Sequence, residues 1–188
     1  MTIRAGAALI LVALLAACGS SPPTHYYTLD PVSGAAAPGT IAGAPVQIVA
    51  VHIPPTLDRQ EMVRETAANA LDISDQNRWG APFGEMARRV LTQDLAARLP
   101  KGAVILPQQP APPNTRKVVV DILQFERRAS GDVVFDGSWS LLRAGADTPL
   151  TTRHVHLSES AGAGYAAQAQ AMSRILGRIA DQIAAAAS

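Results

Sequence analysis

The chain has a single cysteine, few aromatic residues and no excess of charge of either sign. Its 188 residues include one Cys, 4% aromatic residues and a formal net charge of +1. With one cysteine no internal disulfide can form, so the domain has to be stable on its apolar core alone. Few aromatics and abundant Ala predict a core of small aliphatic residues. The near-neutral charge argues against a nucleic-acid partner, which usually requires a basic patch.

The chain also lacks an apolar run long enough for a transmembrane helix. The apolar stretch over residues 5–17 follows Arg4 and is shorter than the roughly 20 residues that a spanning helix needs. A charged start, a short apolar run and small residues before a cysteine are the layout of a signal peptide with a lipobox, here Leu15-Ala16-Ala17-Cys18. We therefore predict a cleaved signal peptide over 1–17 and lipid attachment at Cys18. A plain secretory peptide cut elsewhere is the alternative.

The residues after Cys18 bear on its destination. Gly19 stands where an Asp would act as an inner-membrane retention signal in enteric bacteria. The absence of Asp at this position predicts an outer-membrane lipoprotein facing the periplasm. Residues 18–24 form the acylated end and a short Ser/Pro tether, and 25–188 form one domain.

The domain alternates strand patterns with two helical patterns. We predict strands over 26–29, 46–53, 60–66, 69–74, 103–106, 117–127, 132–142 and 150–158, with loops over 31–45 and 107–114. Apolar residues at helical spacing predict helices from Pro82 to Leu99 and over 165–187. The predicted fold is α+β (mixed α/β), a single domain with a largely antiparallel sheet packed by two amphipathic helices.

Signs of catalytic, metal or nucleotide chemistry are sparse. The pattern Gly162-x-Gly164-x-x-Ala167 resembles a dinucleotide fingerprint, but the chain ends too soon after it to supply a second strand with an acidic ribose ligand. His154 and His156 share a strand face and could form part of a zinc site, with exposed strand residues as the simpler interpretation. The carboxylates that stand out are Asp121, Glu126 and Asp132, and they lack a paired general-acid arrangement. We expect no enzyme activity, no metal and no cofactor.

The segment between the second strand and the first helix stands apart. Arg78-Trp79, predicted to lie in a loop, is a pair of residue types that often dominate binding energy. The alternative is structural: Trp79 packs the start of the helix against the sheet, and Arg78 pairs with Asp58 or Asp75. The sequence leaves both open.

The order of these motifs resembles the ABC-type transport auxiliary lipoproteins, the PqiC family. The resemblance spans nearly the whole chain after Cys18. It rests on the lipobox, Tyr26-Tyr27-Thr28-Leu29, Ile53-Pro54, the run from Leu57-Asp58-Arg59 to Val63, and Arg78-Trp79 with the helix from Phe83. Thr56 departs from the family pattern, where Tyr is frequent before Leu-Asp-Arg. Gly80-Ala81-Pro82 departs as well, because the family usually has a small residue, an acidic residue and Pro there.

The resemblance implies a non-catalytic subunit of an intermembrane lipid transport system. Its partner would be a periplasmic MCE-domain protein, in some members with an ABC permease and ATPase, and it would dock that assembly at the outer membrane. By the same resemblance, the residues that shape or support the partner surface would be Leu57, Asp58, Arg59, Arg78 and Trp79. The oligomeric state stays open, and a ring matching an MCE assembly is conceivable.

Two other functions are compatible with the sequence. One is a periplasmic carrier that holds lipid or another hydrophobic ligand in its own cavity. The other is an outer-membrane assembly factor.

Overall fold

The computed structural model of the chain describes residues 22–34 and 43–188. They contain seven strands: β1 (His25–Tyr27), β2 (Val46–His52), β3 (Glu61–Ala67), β4 (Ala70–Trp79), β5 (Arg116–Arg127), β6 (Asp132–Leu142) and β7 (Pro149–Ser160). The two helices are α1 (Phe83–Arg98) and α2 (Tyr165–Ala187). The predicted signal peptide and Cys18 lie outside the described residues, as do residues 35–42 of the predicted first loop.

One half of the sheet is the antiparallel meander β5–β6–β7, with β7 at the edge. Along β6 every second residue is buried, which is the period of a strand with one face on a core. Val155 and Leu157 continue that buried face on β7. The predicted meander is confirmed, with strand ends that differ from the prediction by two residues or fewer.

The whole sheet is mixed. Its order is β1-β4-β3-β5-β6-β7, and β2 pairs with β5 outside this path. Strands that follow each other in the meander and in the β3–β4 hairpin are antiparallel, whereas β1–β4, β2–β5 and β3–β5 are parallel. β2 pairs with the first half of β5, and β3 pairs with Arg127, the last residue of β5. β2 and β3 therefore lie one after the other along the same edge of β5. The α+β fold with two helices is confirmed.

Two of the predicted strands differ in the structure. The β3–β4 hairpin turns at Ala68-Asn69, and Asn69 adopts a positive φ of 63°, which Asn tolerates better than most residues. β4 continues to Trp79 because its end pairs with β1 as well as with β3. The strand predicted over 103–106 is only an isolated bridge, from Val104 to Val46.

Both helices lie on the sheet with the apolar faces that the sequence predicts. On α2 the five predicted core residues are all buried, namely Ala169, Met172, Leu176, Ile179 and Ile183. α1 packs on β2 and on α2, and α2 packs on β6 and β7. Neither of these described helices is long and apolar enough to cross a membrane.

Four aromatic side chains form a continuous run through the core. Trp79 contacts Phe83 with 5.2 Å between ring centroids. Phe83 meets Phe125 at 5.9 Å, and Phe125 meets Phe135 at 5.2 Å, both edge to face, a favourable aromatic geometry. These four aromatics therefore link β4, α1, β5 and β6, while Trp139 and aliphatic residues fill most of the rest of the core.

The segment after β1 is held in the seam between the two helices. Asp94 on α1 accepts a hydrogen bond of 2.7 Å from the Val32 amide, and Arg98 donates to the Val32 carbonyl at 3.3 Å. Arg98 also pairs with Asp181 on α2. Asp94 is fully buried, and this burial raises the pKa of its carboxyl group, with the Val32 amide and Arg98 opposing the shift. The chain that arrives from the N-terminus is thus fixed to both helices.

Candidate partner-binding surface

The corner where β4 ends and α1 begins is built around Trp79. Its side chain is 3% exposed, and its amide donates to the Gln60 carbonyl at 2.7 Å. One residue later the Gly80 amide donates to the Tyr27 carbonyl at 2.8 Å. Arg78 and Trp79 are strand residues and not loop residues, which corrects the prediction. Trp79 packs the helix start against the sheet through Phe83, as the structural alternative expects.

The loop over residues 53–60 presents two charged residues next to this corner. Pro54 and Pro55 end β2, since neither can donate to a ladder, and the Leu57 amide closes a turn on the Pro54 carbonyl at 2.9 Å. The Leu57 side chain is 4% exposed and belongs to the core. Asp58 and Arg59 follow it on the surface. A buried Leu therefore holds the loop in place under an exposed acid and an exposed base.

Arg78 faces a different carboxylate from the two that the sequence suggested, Asp58 and Asp75. It points to Glu61 on the neighbouring strand, with 3.7 Å between Nη2 and Oε1, because Glu61 and Arg78 are register partners in the β3–β4 pair. Its Nε is buried and has no hydrogen-bond partner among the described residues. Arg78 is half-buried, so it supports the corner more than it projects from it.

A shallow cavity of about 360 Å³ separates the loop from α1. Asp58 lies on one side of it, and Glu85 and Arg88 lie on the other. Arg88 donates to Glu85 at 2.6 Å, and Val49, 38% exposed, contributes an apolar wall. Charges of both signs around a small apolar surface are typical of the rim and core of a protein interface. The described residues that line this cavity include no nucleophile with an adjacent base.

Of the five residues assigned to the partner surface, two lie on the surface of this corner and three support it. Asp58 and Arg59 are exposed and Arg78 is half-buried, while Leu57 and Trp79 are buried. The sequence did not indicate Glu85, Arg88 or Val49. The first two lie on the polar face of a helix whose pattern shows only that they are exposed.

The other candidate groups lie on β5, β6 and β7 and before α2, and they are not among the residues that line the cavity at the corner. Asp121 pairs with His52 at 2.6 Å, and Glu126 accepts from Gln124. His154 and His156 are exposed on β7, and His156 lies 3.7 Å from Asp136. Within residues 22–34 and 43–188 no three His, Cys, Asp or Glu side chains are grouped as a metal site. Gly164 precedes α2 with φ 94°, which explains the Gly-rich pattern as a turn.

The sequence model of the family described as ABC-type transport auxiliary lipoprotein component matches residues 27–184. This span contains the whole corner and nearly all of the domain. The chain belongs to this family. The resemblance inferred from the motif order is thereby confirmed, and with it a lipoprotein that is an auxiliary component of transport.

Solved structures show the same fold at low sequence identity. A crystal structure of an uncharacterised protein is 22% identical, with a TM-score of 0.73, and the match covers 89% of this chain and 100% of that one. A crystal structure of a protein from Xanthomonas campestris is 14% identical, with a TM-score of 0.65, covering 85% of this chain and 92% of that one. No curated protein matches this chain. At these identities the structural likeness supports the fold alone.

Proposed function

We propose that this family member is a non-catalytic, lipid-anchored subunit of an MCE-type lipid transport system, with or without an ABC permease and ATPase. It docks the periplasmic part of the transporter at the outer membrane. The lipobox ending at Cys18 and the Gly at position 19 support the anchor and its destination. Family membership supports the transport role.

The observation that carries the docking role is the exposed Asp58-Arg59 pair on a rigid corner. The buried Leu57 and the turn at Pro54 fix the loop below the pair, so little side-chain and loop freedom is lost when a partner binds. A surface that is ordered before binding and carries both charge signs favours one docking orientation. The partner in this proposal is a periplasmic MCE-domain protein.

Affinity purification of the tagged, lipidated protein from crosslinked membranes tests this proposal. Wild-type protein is expected to recover an MCE-domain protein. The double charge reversal Asp58→Arg with Arg59→Glu is expected to lower that recovery by roughly tenfold or more, because like charges then face each other across the interface. Both residues are exposed, so the melting temperature should hardly change.

Arg153→Glu is the matched control. Arg153 is an exposed arginine on β7, a strand at the other end of the sheet from β1, so its reversal should leave recovery unchanged. Absence of any MCE-domain protein from the wild-type sample would overturn the proposed function. Equal losses in the control and in the loop variant would remove the corner as the docking site.

A further inference from the structure

A second and larger cavity runs along the outer face of α1. It has a volume of about 550 Å³, within the range of about 300–1,000 Å³ that small-molecule sites occupy. We call it the α1 groove. Its lining comes from the helix and from the segment over residues 106–109, and the Glu85–Arg88 ion pair separates it from the cavity at the corner.

The outer wall of the groove is held in a fixed position. The Gln109 amide donates to the Leu106 carbonyl at 3.0 Å and closes a turn. The Gln47 side chain on β2 donates to the Leu106 and Gln109 carbonyls at 3.0 and 3.3 Å. Pro107 adds a restricted backbone. The wall therefore needs little ordering when a ligand enters.

Most of the accessible surface inside the groove is apolar, although polar side chains such as Thr92 and Gln108 also line it. Met86 forms part of the floor, and its sulfur accepts a hydrogen bond from Thr28 at 3.8 Å. Leu106 is 47% exposed and lies on the wall together with Pro107. Met adapts to irregular apolar ligands because its side chain is unbranched and polarisable. Met86 itself is 3% exposed, so Leu106 and Pro107 offer the larger apolar contact to an aliphatic chain in the groove.

Arg89 lines the groove and brings a positive charge that pairs with no carboxylate among the described residues. It donates to Gln93, to the Leu29 carbonyl and to Thr28, at 3.2, 2.7 and 3.4 Å. All three acceptors are neutral, and Arg89 forms no ion pair in the part of the chain that the structure describes. The neighbouring Arg88 is already paired with Glu85. The groove therefore combines an apolar channel with one unpaired guanidinium.

We infer that the α1 groove binds a single acyl chain of an anionic amphiphile, with Arg89 facing the anionic headgroup. A carboxylate or a phosphate accepts hydrogen bonds from a guanidinium that are stronger than those between neutral groups, and removal of the acyl methylenes from water favours binding. A free fatty acid and an anionic phospholipid share this chemistry. The inference adds lipid binding to the proposed docking role and rests on that role only for the membrane anchor.

The anchor keeps Arg89 close to a bilayer. Arg89 contacts Thr28, which follows Cys18 by ten residues in the sequence. A fully extended segment of that length spans at most about 35 Å. Lipid at the membrane surface is therefore within reach of Arg89 in the groove.

Photocrosslinking of the mature, lipidated protein in nanodiscs tests the inference. Three probes carry the same photoreactive group in the acyl chain: palmitate, phosphatidylglycerol and the neutral hexadecanol. Labelling by one or both anionic probes is expected on peptides that contain Met86 and Leu106, and the probe that labels distinguishes fatty acid from phospholipid. Leu106→Asp should lower this labelling roughly tenfold, because it places a charge on the apolar wall.

Two further variants separate the groove from general surface contact. Leu123→Asp is the matched control, since Leu123 is 70% exposed on β5 outside the groove, and it should leave labelling unchanged. Arg89→Gln should reduce labelling by the anionic probes and not by hexadecanol. Labelling that is spread over the surface, or that survives Leu106→Asp, would overturn the inference. So would an absence of labelling by both anionic probes.

The labelling experiment can fail or succeed independently of the docking proposal. Capture of the MCE-domain protein should persist in Leu106→Asp, because Asp58 and Arg59 are unchanged. Loss of lipid labelling with retained capture supports both proposals as independent. Unchanged labelling with retained capture leaves docking intact and removes the lipid site.

Discussion

At the scale of single residues, two arginines on α1 illustrate how burial changes the contribution of an ion pair to stability. Arg98 is 6% exposed and bonds to two carboxylates and a backbone carbonyl. Arg88 pairs with Glu85 at 2.6 Å, but the Glu85 side chain is 65% exposed. Solvent screens the Arg88–Glu85 pair, whereas the Arg98–Asp94 pair is buried on both sides and is screened much less.

The two arginines should therefore respond differently to truncation. Arg98→Ala leaves the fully buried Asp94 without its cation and releases the segment after β1, so we expect a loss of about 3–5 kcal/mol in the free energy of unfolding. Arg88→Ala should cost about 1 kcal/mol or less. Urea unfolding followed by circular dichroism measures both. Similar losses in the two variants would mean that the Arg98 cluster does not hold the seam between the helices.

At the scale of secondary-structure elements, the start of α2 depends on an unusual backbone. Gly164 has φ 94° and ψ 164° and provides no side-chain cap, a conformation that is essentially restricted to Gly. Directly after it, the Tyr165 hydroxyl donates to Asp72, and the Arg64 guanidinium stacks on the Tyr165 ring at 3.5 Å. The turn therefore fixes the start of α2 against β3 and β4.

Two glycines of this turn make a matched test. Gly164→Ala should destabilise the protein by about 1–3 kcal/mol through backbone strain alone, since a Cβ at this position would meet no atom within 4 Å. Gly162→Ala should stay within about 0.5 kcal/mol, because its Cβ would lie 3.5 Å from that of Ala167, an ordinary contact. Thermal unfolding of both variants checks the difference. Equal stability of the two would contradict the assigned role of the turn.

At the scale of the whole molecule, one core connects all the elements. The aromatic run begins at Trp79 in the docking corner and reaches Phe135 in the meander. The other tryptophan, Trp139, is 1% exposed and donates to Gln182 on α2 at 3.2 Å. A continuous core predicts that the corner and the meander unfold together.

Single-tryptophan variants can test this cooperativity. Trp139→Phe leaves Trp79 as the only fluorophore of this type, and Trp79→Phe leaves Trp139. In each variant we expect the fluorescence transition to coincide with the far-UV circular dichroism transition in urea. A Trp79 signal that changes at lower urea than the circular dichroism would show that the corner unfolds separately from the rest of the domain.

Local periodicity made much of the architecture predictable. The helical spacing of apolar residues gave both helices to within about one residue of their ends, and alternation gave the strands of the meander. The lipobox and the motif order pointed to the family without any tertiary information. These signals are short-range, because each element carries the pattern of its own buried face.

The tertiary structure alone decided the features that depend on distant segments. β4 extends to Trp79 because β1 pairs along it, and the bridge at Val104 forms no strand because it meets β2 at one residue. The burial of Leu57, Trp79 and Arg98, and the groove beside Leu106, likewise arise from contacts across the fold. A linear sequence shows which residues are apolar or charged. Only the folded structure shows which of them face each other, because pairing between distant segments leaves no periodic pattern in the sequence of either segment.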